Sequence, residues 1–372
     1  MSSWTAPAHG RAPLHVVQLL GGGGAGTGPH VRSLSEGLVA RGVRVTVGAA
    51  PPAERRYRFT TAGARFVPVT ARTTFAALGT VAELCADADL VHAHGMRAGL
   101  LAALALRRRR TPLVVTWHAR STAPGPRAHA RRLIEHGVAR AASVVLATTS
   151  DLVDRARGRG ARDARLAPVA LPPCRVPEDG AGGRKLRAEL GAVGRPLLVA
   201  EAGLDRSQTP GLLLAAAQGW RRRTPQPLLA LAGDGPERSA LQRRIDREGL
   251  PVRLVGRGTG TGALLADADV ALLVARWAGR APLAEEALRR GVPLVATAVG
   301  GVPEVVGGAA VLVPYGDPRA LGAAVDALLA DPDRRAALAV AGRARAATWP
   351  TEDTTVAQVL SVYDELTAST AS

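Results

Sequence analysis

The chain has 372 residues, 47% of them apolar, which is enough for two buried cores and excludes a small module or a disordered tail. Its 48 basic and 31 acidic side chains leave a formal charge of +17, a balance that draws anionic partners. Yet Lys185 is the only lysine, Ile134 and Ile245 are the only isoleucines and asparagine is absent, so part of the arginine excess reads as coding bias. With only 3% aromatic residues and no basic-aromatic tract, nucleic acid is not an expected partner. Cys85 and Cys174 have no Cys or His beside them at metal-ligand spacing, so neither a metal site nor a disulfide framework is expected, and a reducing cytoplasm fits best. Met1 to Pro13 lacks the apolar core of a signal peptide, and Leu100 to Leu106 falls far short of the roughly 20 residues that cross a bilayer. Membrane contact is therefore expected to be peripheral at most, at the inner face.

In chain order, short apolar runs alternate with amphipathic stretches, the pattern of beta-alpha-beta units around parallel sheets. The first half predicts strands near 14–20, 43–47, 65–69, 89–94, 112–117 and 143–147, with helices between them, notably His30 to Arg41 and Arg97 to Arg109. From Leu171 to Arg184 the sequence turns Pro- and Gly-rich, which predicts a linker over 173–184 between a first domain, 1–172, and a second, 185–348. Strands then recur near 197–202, 227–232, 252–255, 270–274, 293–297 and 310–313. Pro282 to Gly291 has Pro at its start, Glu285 and Glu286 early, Arg289 and Arg290 late and Gly as a stop, so propensity and dipole agree on a helix. Leu321 to Arg345 reads as helical, and 349–372 as a terminal helix that docks back on the first domain. Ala86-Asp-Ala-Asp-Leu-Val and Ala266-Asp-Ala-Asp-Val-Ala echo one another, each leading into a strand, which suggests two similar sheets.

Several turns could carry chemistry. The run Gly21 to Gly28 lies between a strand and a helix, where backbone amides can hold phosphate; the alternative is a bare turn. Gly21, Gly23 and Gly26 match the dinucleotide spacing, but Val43 to Val47 ends in Gly48-Ala49-Ala50 with no acid for a ribose, which disfavours a nicotinamide enzyme. No Gly-Lys-Ser/Thr is present, which excludes a P-loop nucleotidase. His118 closes a strand at the carboxyl edge, where parallel sheets bind ligands, and is either a contact for a reacting group or hydrogen-bonded structure. His92 and His94 face one side of a strand but lack a third ligand, so a structural role is favoured for them. Gly233-Asp-Gly-Pro236 and Gly300-Gly-Val-Pro-Glu304 also expose backbone donors, and Glu286 is either a grip for ribose hydroxyls or a dipole-stabilising acid.

Taken in order, the glycine run, DADLVHAHG, VVTWHA (114–119), LAGDGP (231–236), EALRRGVPLVATAVGGVPEVV (286–306) and VLVPYGDP (311–318) resemble family four of the retaining GT-B glycosyltransferases. The resemblance implies an α/β chain of two Rossmann-like domains with parallel sheets facing a central cleft. It implies a nucleotide sugar on the second domain and an acceptor, whether lipid, polyol or small metabolite, on the first. A hexose-type unit would be transferred with retention, the donor diphosphate helping to take the acceptor proton, with no metal and no cofactor beyond the donor. In this reading Glu286 grips ribose and Gly256-Arg257 meet the base. Gly22, Gly23, Gly24, Gly300 and Gly301 approach diphosphate and sugar, Gly279, Pro282 and Leu283 complete the donor face, and His118 lies near the reacting centre.

The sequence departs from the family where Arg, Lys and the first Glu of a Glu-x7-Glu pair are usual: it has Gly203, Gln208 and Ala278. Pro168-Val-Ala-Leu-Pro172 also replaces the usual Pro-Asn-Gly-Val-Asp phrase. Charge-assisted hydrogen bonds are worth roughly 1.5 to 3 kcal/mol each, so losing two removes about 3 to 6 kcal/mol from leaving-group stabilisation, around a hundredfold to ten-thousandfold in rate. Arg206 and Arg280 are the candidate substitutes. The alternative is a glycosyltransferase-like binding or scaffold protein without catalysis.

Overall fold

The computed structural model describes residues 12–21, 26–70, 74–120, 127–173, 181–205, 208–256 and 260–368. Two compact units result, one of residues 1–172 with 350–372 and one of 173–349.

The first unit holds β1 (His15–Leu20), β2 (Arg44–Ala49), β3 (Arg65–Pro68), β4 (Leu90–His94), β5 (Leu113–Trp117), β6 (Val144–Ala147) and β7 (Ala164–Leu166). They form one sheet in the order β3-β2-β1-β4-β5-β6-β7, every neighbouring pair parallel. β1, β4 and β5 are buried nearly throughout, which explains why they read as unbroken apolar runs. β7 lies at the edge, and its three residues, Ala-Arg-Leu, carry no apolar run to announce them. The C-terminal helix, Glu352–Ala368, belongs to this unit: Val356, Val359, Leu360, Val362 and Tyr363 are buried with Val31, Leu34 and Leu38 of the Thr27–Val39 helix. A Cβ on Gly37 would come within 2.5 Å of Val356, so a bare backbone permits this close crossing.

In the second unit, β8 (Leu197–Glu201), β9 (Leu228–Ala232), β10 (Val252–Val255), β11 (Val270–Leu273), β12 (Leu294–Thr297) and β13 (Val311–Val313) pair in the order β10-β9-β8-β11-β12-β13, again all parallel. Apolar cores lie on both faces of this sheet. The Pro282–Arg290 helix starts with Pro in its first turn and stops at Gly291, whose φ of +69° suits glycine.

One expectation needs correction. Residues 181–184 begin the helix Ala181–Leu190 rather than continuing a linker. The helical stretch Leu321 to Arg345 divides into two helices, Pro318–Ala330 and Pro332–Ala347, because Pro332 cannot donate to the preceding turn and the Asp331 side chain caps the second helix by accepting from the Arg334 amide.

Candidate functional site

In the first unit, the carboxyl ends of β1, β4 and β5 bring polar side chains into an otherwise apolar interior. Gln18 lies beside His92, and His94 beside Thr116, in the sheet register. The Gln18 amide nitrogen donates to the Tyr363 hydroxyl at 3.0 Å, that hydroxyl pairs with His92 Nδ1 at 2.7 Å, and His92 Nε2 pairs with Thr116 Oγ1 at 2.6 Å. Gln18 Oε1 accepts from His94 Nε2 at 2.5 Å, leaving His94 Nδ1 as the acceptor that meets His118 Nε2 at 3.3 Å. His30, in the first turns of the Thr27–Val39 helix, packs its ring edge-on against both His94 and His118, with centroids 5.6 and 5.5 Å away.

Burial keeps these imidazoles neutral. Loss of hydration brings His118 down to about 4, and His92, also repelled by His118, to about 3. His30 and His94 are likewise held well below the ordinary histidine range, chiefly by desolvation and then by the other rings. At neutral pH the cluster therefore consists of hydrogen-bonding rings without charge. Burial also pushes the Cys85 thiol up to about 12, which leaves it unreactive; Cys174 lies outside the described residues.

Beside this cluster, on the same sheet edge, is a cavity of about 310 Å³ lined by Gly21, Gly28, Arg56, Tyr57, Arg97 and Ala98 together with aliphatic residues. Two glycines of the sequence run serve its walls: a Cβ on Gly21 would meet the Ala98 amide nitrogen at 2.5 Å, and one on Gly28 would meet the Tyr57 ring at 2.1 Å. Arg56 also lies over the Tyr57 ring, 5.4 Å from its centroid. Gly22, Gly23 and Gly24 lie outside the described residues.

In the second unit, Glu286 is buried in the Pro282–Arg290 helix, accepting from Arg290 Nε at 2.6 Å with Arg289 3.8 Å away. Pro282 and Leu283 form the first turn of that helix, and Gly279 is buried ahead of it. The Gly300-Gly301 turn wraps the 277–278 segment. Gly300 has φ +54° and its Cβ would come within 2.4 Å of the Ala278 carbonyl oxygen and Trp277 Nε1, while the Gly301 amide donates to that same carbonyl at 2.9 Å. The Gly301 donor, expected from the sequence to meet a ligand, thus already has a backbone partner. Gly256 follows β10 and is exposed, whereas Arg257 lies outside the described residues.

Arg280, a candidate substitute for the missing cations, is 6% exposed. It forms a two-pronged pair with Glu285 at 2.8 and 3.0 Å and stacks on Trp349 at 5.3 Å. Glu285 is fully buried and also accepts from Arg289 at 3.2 Å; desolvation raises its pKa against the pull of both arginines. Moving Arg280 to a diphosphate would strand that carboxylate. Arg206 and the Gln208 side chain lie outside the described residues. Gly203 is exposed, and a Cβ there would meet only the Asp205 carboxylate, at 3.4 Å.

Gln18, His30 and Tyr363 are the members of the histidine cluster that sequence reasoning missed. Gln18 does carry a signal, a lone polar residue in an apolar strand, and His30 heads the buried stripe His30-Leu34-Leu38. Tyr363, 345 residues from Gln18, carries none.

Two units, each built on one parallel α/β sheet, define a pair of Rossmann-like domains of the kind that bind ligands at the carboxyl ends of their strands. The comparisons agree. Residues 25–172 match the family described as "Glycosyl transferase 4-like domain" and residues 195–331 the one described as "Glycosyl transferases group 1". A D-inositol 3-phosphate glycosyltransferase of Xylanimonas cellulosilytica is 31% identical over 310 residues, 75% of this chain and 72% of that protein. A GDP-mannose-dependent alpha-(1-6)-phosphatidylinositol monomannoside mannosyltransferase of Mycolicibacterium smegmatis is 35% identical over 193 residues, 48% of this chain, and the match spans only 50% of that relative's length. Among solved structures, Anabaena Alr3699/HepE in complex with UDP and glucose aligns with a TM-score of 0.79 at 20% identity, covering 93% of this chain and 98% of that one. Sucrose-phosphate synthase of Thermosynechococcus elongatus aligns at 0.73 and 21%, covering 95% and 100%. The chain belongs to the GT-B glycosyltransferases with a glycosyl transferase 4-like first domain and a group 1 second domain.

Proposed function

We propose that this protein transfers a hexose-type sugar, with retention, from a nucleotide diphosphate sugar on the second unit to an acceptor on the first. The observation that carries the donor half is the buried Glu286, fixed by Arg290 in a helix whose preceding loop is packed against Gly300-Gly301. An oriented carboxylate is the group that grips vicinal ribose hydroxyls. The relative named for GDP-mannose and the structural neighbour named with UDP support a nucleotide-linked donor.

For the acceptor half, the cavity beside the histidines has an apolar lining with Arg56 and Arg97 at it, which suits a molecule with an apolar body and an anionic group. Of the lipid, polyol and small-metabolite classes, a phosphate-bearing lipid fits this chemistry most fully, and contact with it would be peripheral to the membrane. Among the described residues no helix is long and apolar enough to cross one. His118, neutral at pH 7, would orient the acceptor hydroxyl by a hydrogen bond, while the departing diphosphate takes its proton. Backbone amides at the donor turns would carry the leaving-group charge, and no metal or cofactor enters the transfer.

A second reading, a binding protein without catalysis, is favoured by one observation: Arg280 is locked to Glu285 while Gly203, Gln208 and Ala278 stand at the family's charged positions. Turnover of a panel of UDP- and GDP-sugars, with and without a phospholipid acceptor, separates the two. Turnover of one donor that falls at least tenfold in Glu286→Ala supports the enzyme; tight donor binding with no turnover in any mixture supports the second reading.

A further inference from the structure

We propose that His30, His94 and His118 bind one divalent transition-metal ion of the zinc class, with a fourth position open toward the exposed side of His118. The three rings come from separate elements, a helix start, the end of β4 and the residue after β5, yet their ligand nitrogens all lie within 4.8 Å of one another. Tetrahedral zinc with bonds of about 2.0 to 2.1 Å places neighbouring nitrogens about 3.3 Å apart. His94 Nδ1 and His118 Nε2 are 3.3 Å apart.

The surroundings prepare His94 as a ligand. Gln18 Oε1 accepts the proton of His94 Nε2, so the lone pair falls on Nδ1, the atom facing His118. Tyr363 in turn holds the Gln18 amide in place. A carbonyl on the far nitrogen is the arrangement that fixes tautomer and ring orientation at metal-binding histidines. The His30 ring is buried against both partners and makes no hydrogen bond among the described residues, so it has no competing commitment. His92 is different: Tyr363 and Thr116 occupy both of its nitrogens, which excludes it from the ligand set. Binding replaces the His94 Nδ1–His118 Nε2 hydrogen bond, so His118 carries its proton on Nδ1 when the ion is bound.

Three neutral histidines with one open position leave the ion its full charge, so water or an anionic oxygen completes the site. The ion also takes His118 Nε2, the atom that would face an acceptor. Its binding is therefore inhibitory to transfer rather than part of it, and it does not depend on transfer taking place.

The test uses the full chain without a polyhistidine tag, stripped with chelator, titrated with Zn²⁺ by calorimetry and with Co²⁺ by visible absorption. One ion per chain at micromolar affinity or tighter, with the intense d–d bands of four-coordinate Co²⁺, is expected. His30→Gln and His94→Gln should each weaken binding at least a hundredfold, Gln18→Leu by 10- to 100-fold at unchanged stoichiometry, and His92→Gln by less than about threefold. Circular dichroism identifies any variant that fails to fold. X-ray absorption on the zinc-loaded wild type counts imidazole ligands independently of the variants. No binding by folded wild type, fewer than three imidazoles, or affinity unchanged in both folded ligand variants would overturn the proposal.

Discussion

The two units begin alike and end differently. In each, the Asp that closes the echoed Ala-Asp-Ala-Asp phrase reaches back to the first strand of its sheet: Asp89 accepts from the His15 amide at 2.8 Å, and Asp269 from the Leu197 amide at 2.7 Å. Their own amides donate to His15 and Leu197 carbonyls, at 3.0 and 2.9 Å. One device thus starts the central strand pair of both sheets. The buried polar groups farther along have opposite characters. The first unit gathers four neutral histidines tied by Gln18, Thr116 and Tyr363, whereas the second buries charge, Glu285 and Glu286 among Arg280, Arg289 and Arg290. One scaffold therefore accommodates either solution, and the two should answer differently to pH and to substitution.

Acid separates the two units most strongly. The histidines have folded-state pKa values depressed below their ordinary 6.5, so unfolding takes up protons and the first unit is fully stable only above about pH 6.5. Its stability should fall by several kcal/mol as pH drops through the folded values of about 4 for His118 and about 3 for His92, seen as a falling urea midpoint for its transition. Glu285 works in the reverse sense: its folded pKa is raised, so its contribution is present below the ordinary carboxylate range and lost as pH rises through the folded value. A wild-type minus Glu285→Gln difference that grows more favourable to wild type with rising pH would contradict this.

At fixed neutral pH, Glu285→Ala leaves Arg280 buried without its partner and should destabilise the second unit by about 3 to 5 kcal/mol in urea denaturation. Tyr363→Phe leaves the Gln18 amide and His92 Nδ1 each short of a partner and should cost the first unit about 1 to 3 kcal/mol. The smallest effect is a difference within the shared device. Asp269 also pairs with Arg187 at 2.9 Å, so Asp269→Ala should cost about 1 kcal/mol more than Asp89→Ala. Equal costs would mean that the arginine adds nothing.

The fold was legible wherever burial imposed a pattern. Strands buried on both faces, such as β4, β5 and β9, show as apolar runs, and the Pro282–Arg290 helix is punctuated at both ends. β7 escaped because a short edge strand needs no apolar run, whereas the Asp331-Pro332 pair is itself a sequence signal, Pro ending one helix and Asp capping the next. For the site, alternation places His92 and His94 on one side, but the rings that join them arrive from a helix and a neighbouring strand, and the Tyr363 hydroxyl from the far end of the chain. Arg280 shows the same limit. Its charge is visible in sequence, while its commitment to Glu285 depends on how the 275–281 loop folds over the helix start.

On the proposed function, the second unit holds a nucleotide diphosphate sugar without the family's Arg, Lys and first Glu. The most direct measurement is calorimetric titration of UDP, GDP and their sugars into wild type, Glu286→Ala and a triple variant, Gly203→Arg, Gln208→Lys, Ala278→Glu. Gly203 is exposed and has room for a side chain, whereas Ala278 packs against the core, so circular dichroism establishes that the triple variant folds before it is titrated. Wild type should bind one nucleotide sugar at micromolar affinity, weakened at least tenfold in Glu286→Ala. Binding absent from wild type and gained only in the triple variant would contradict it.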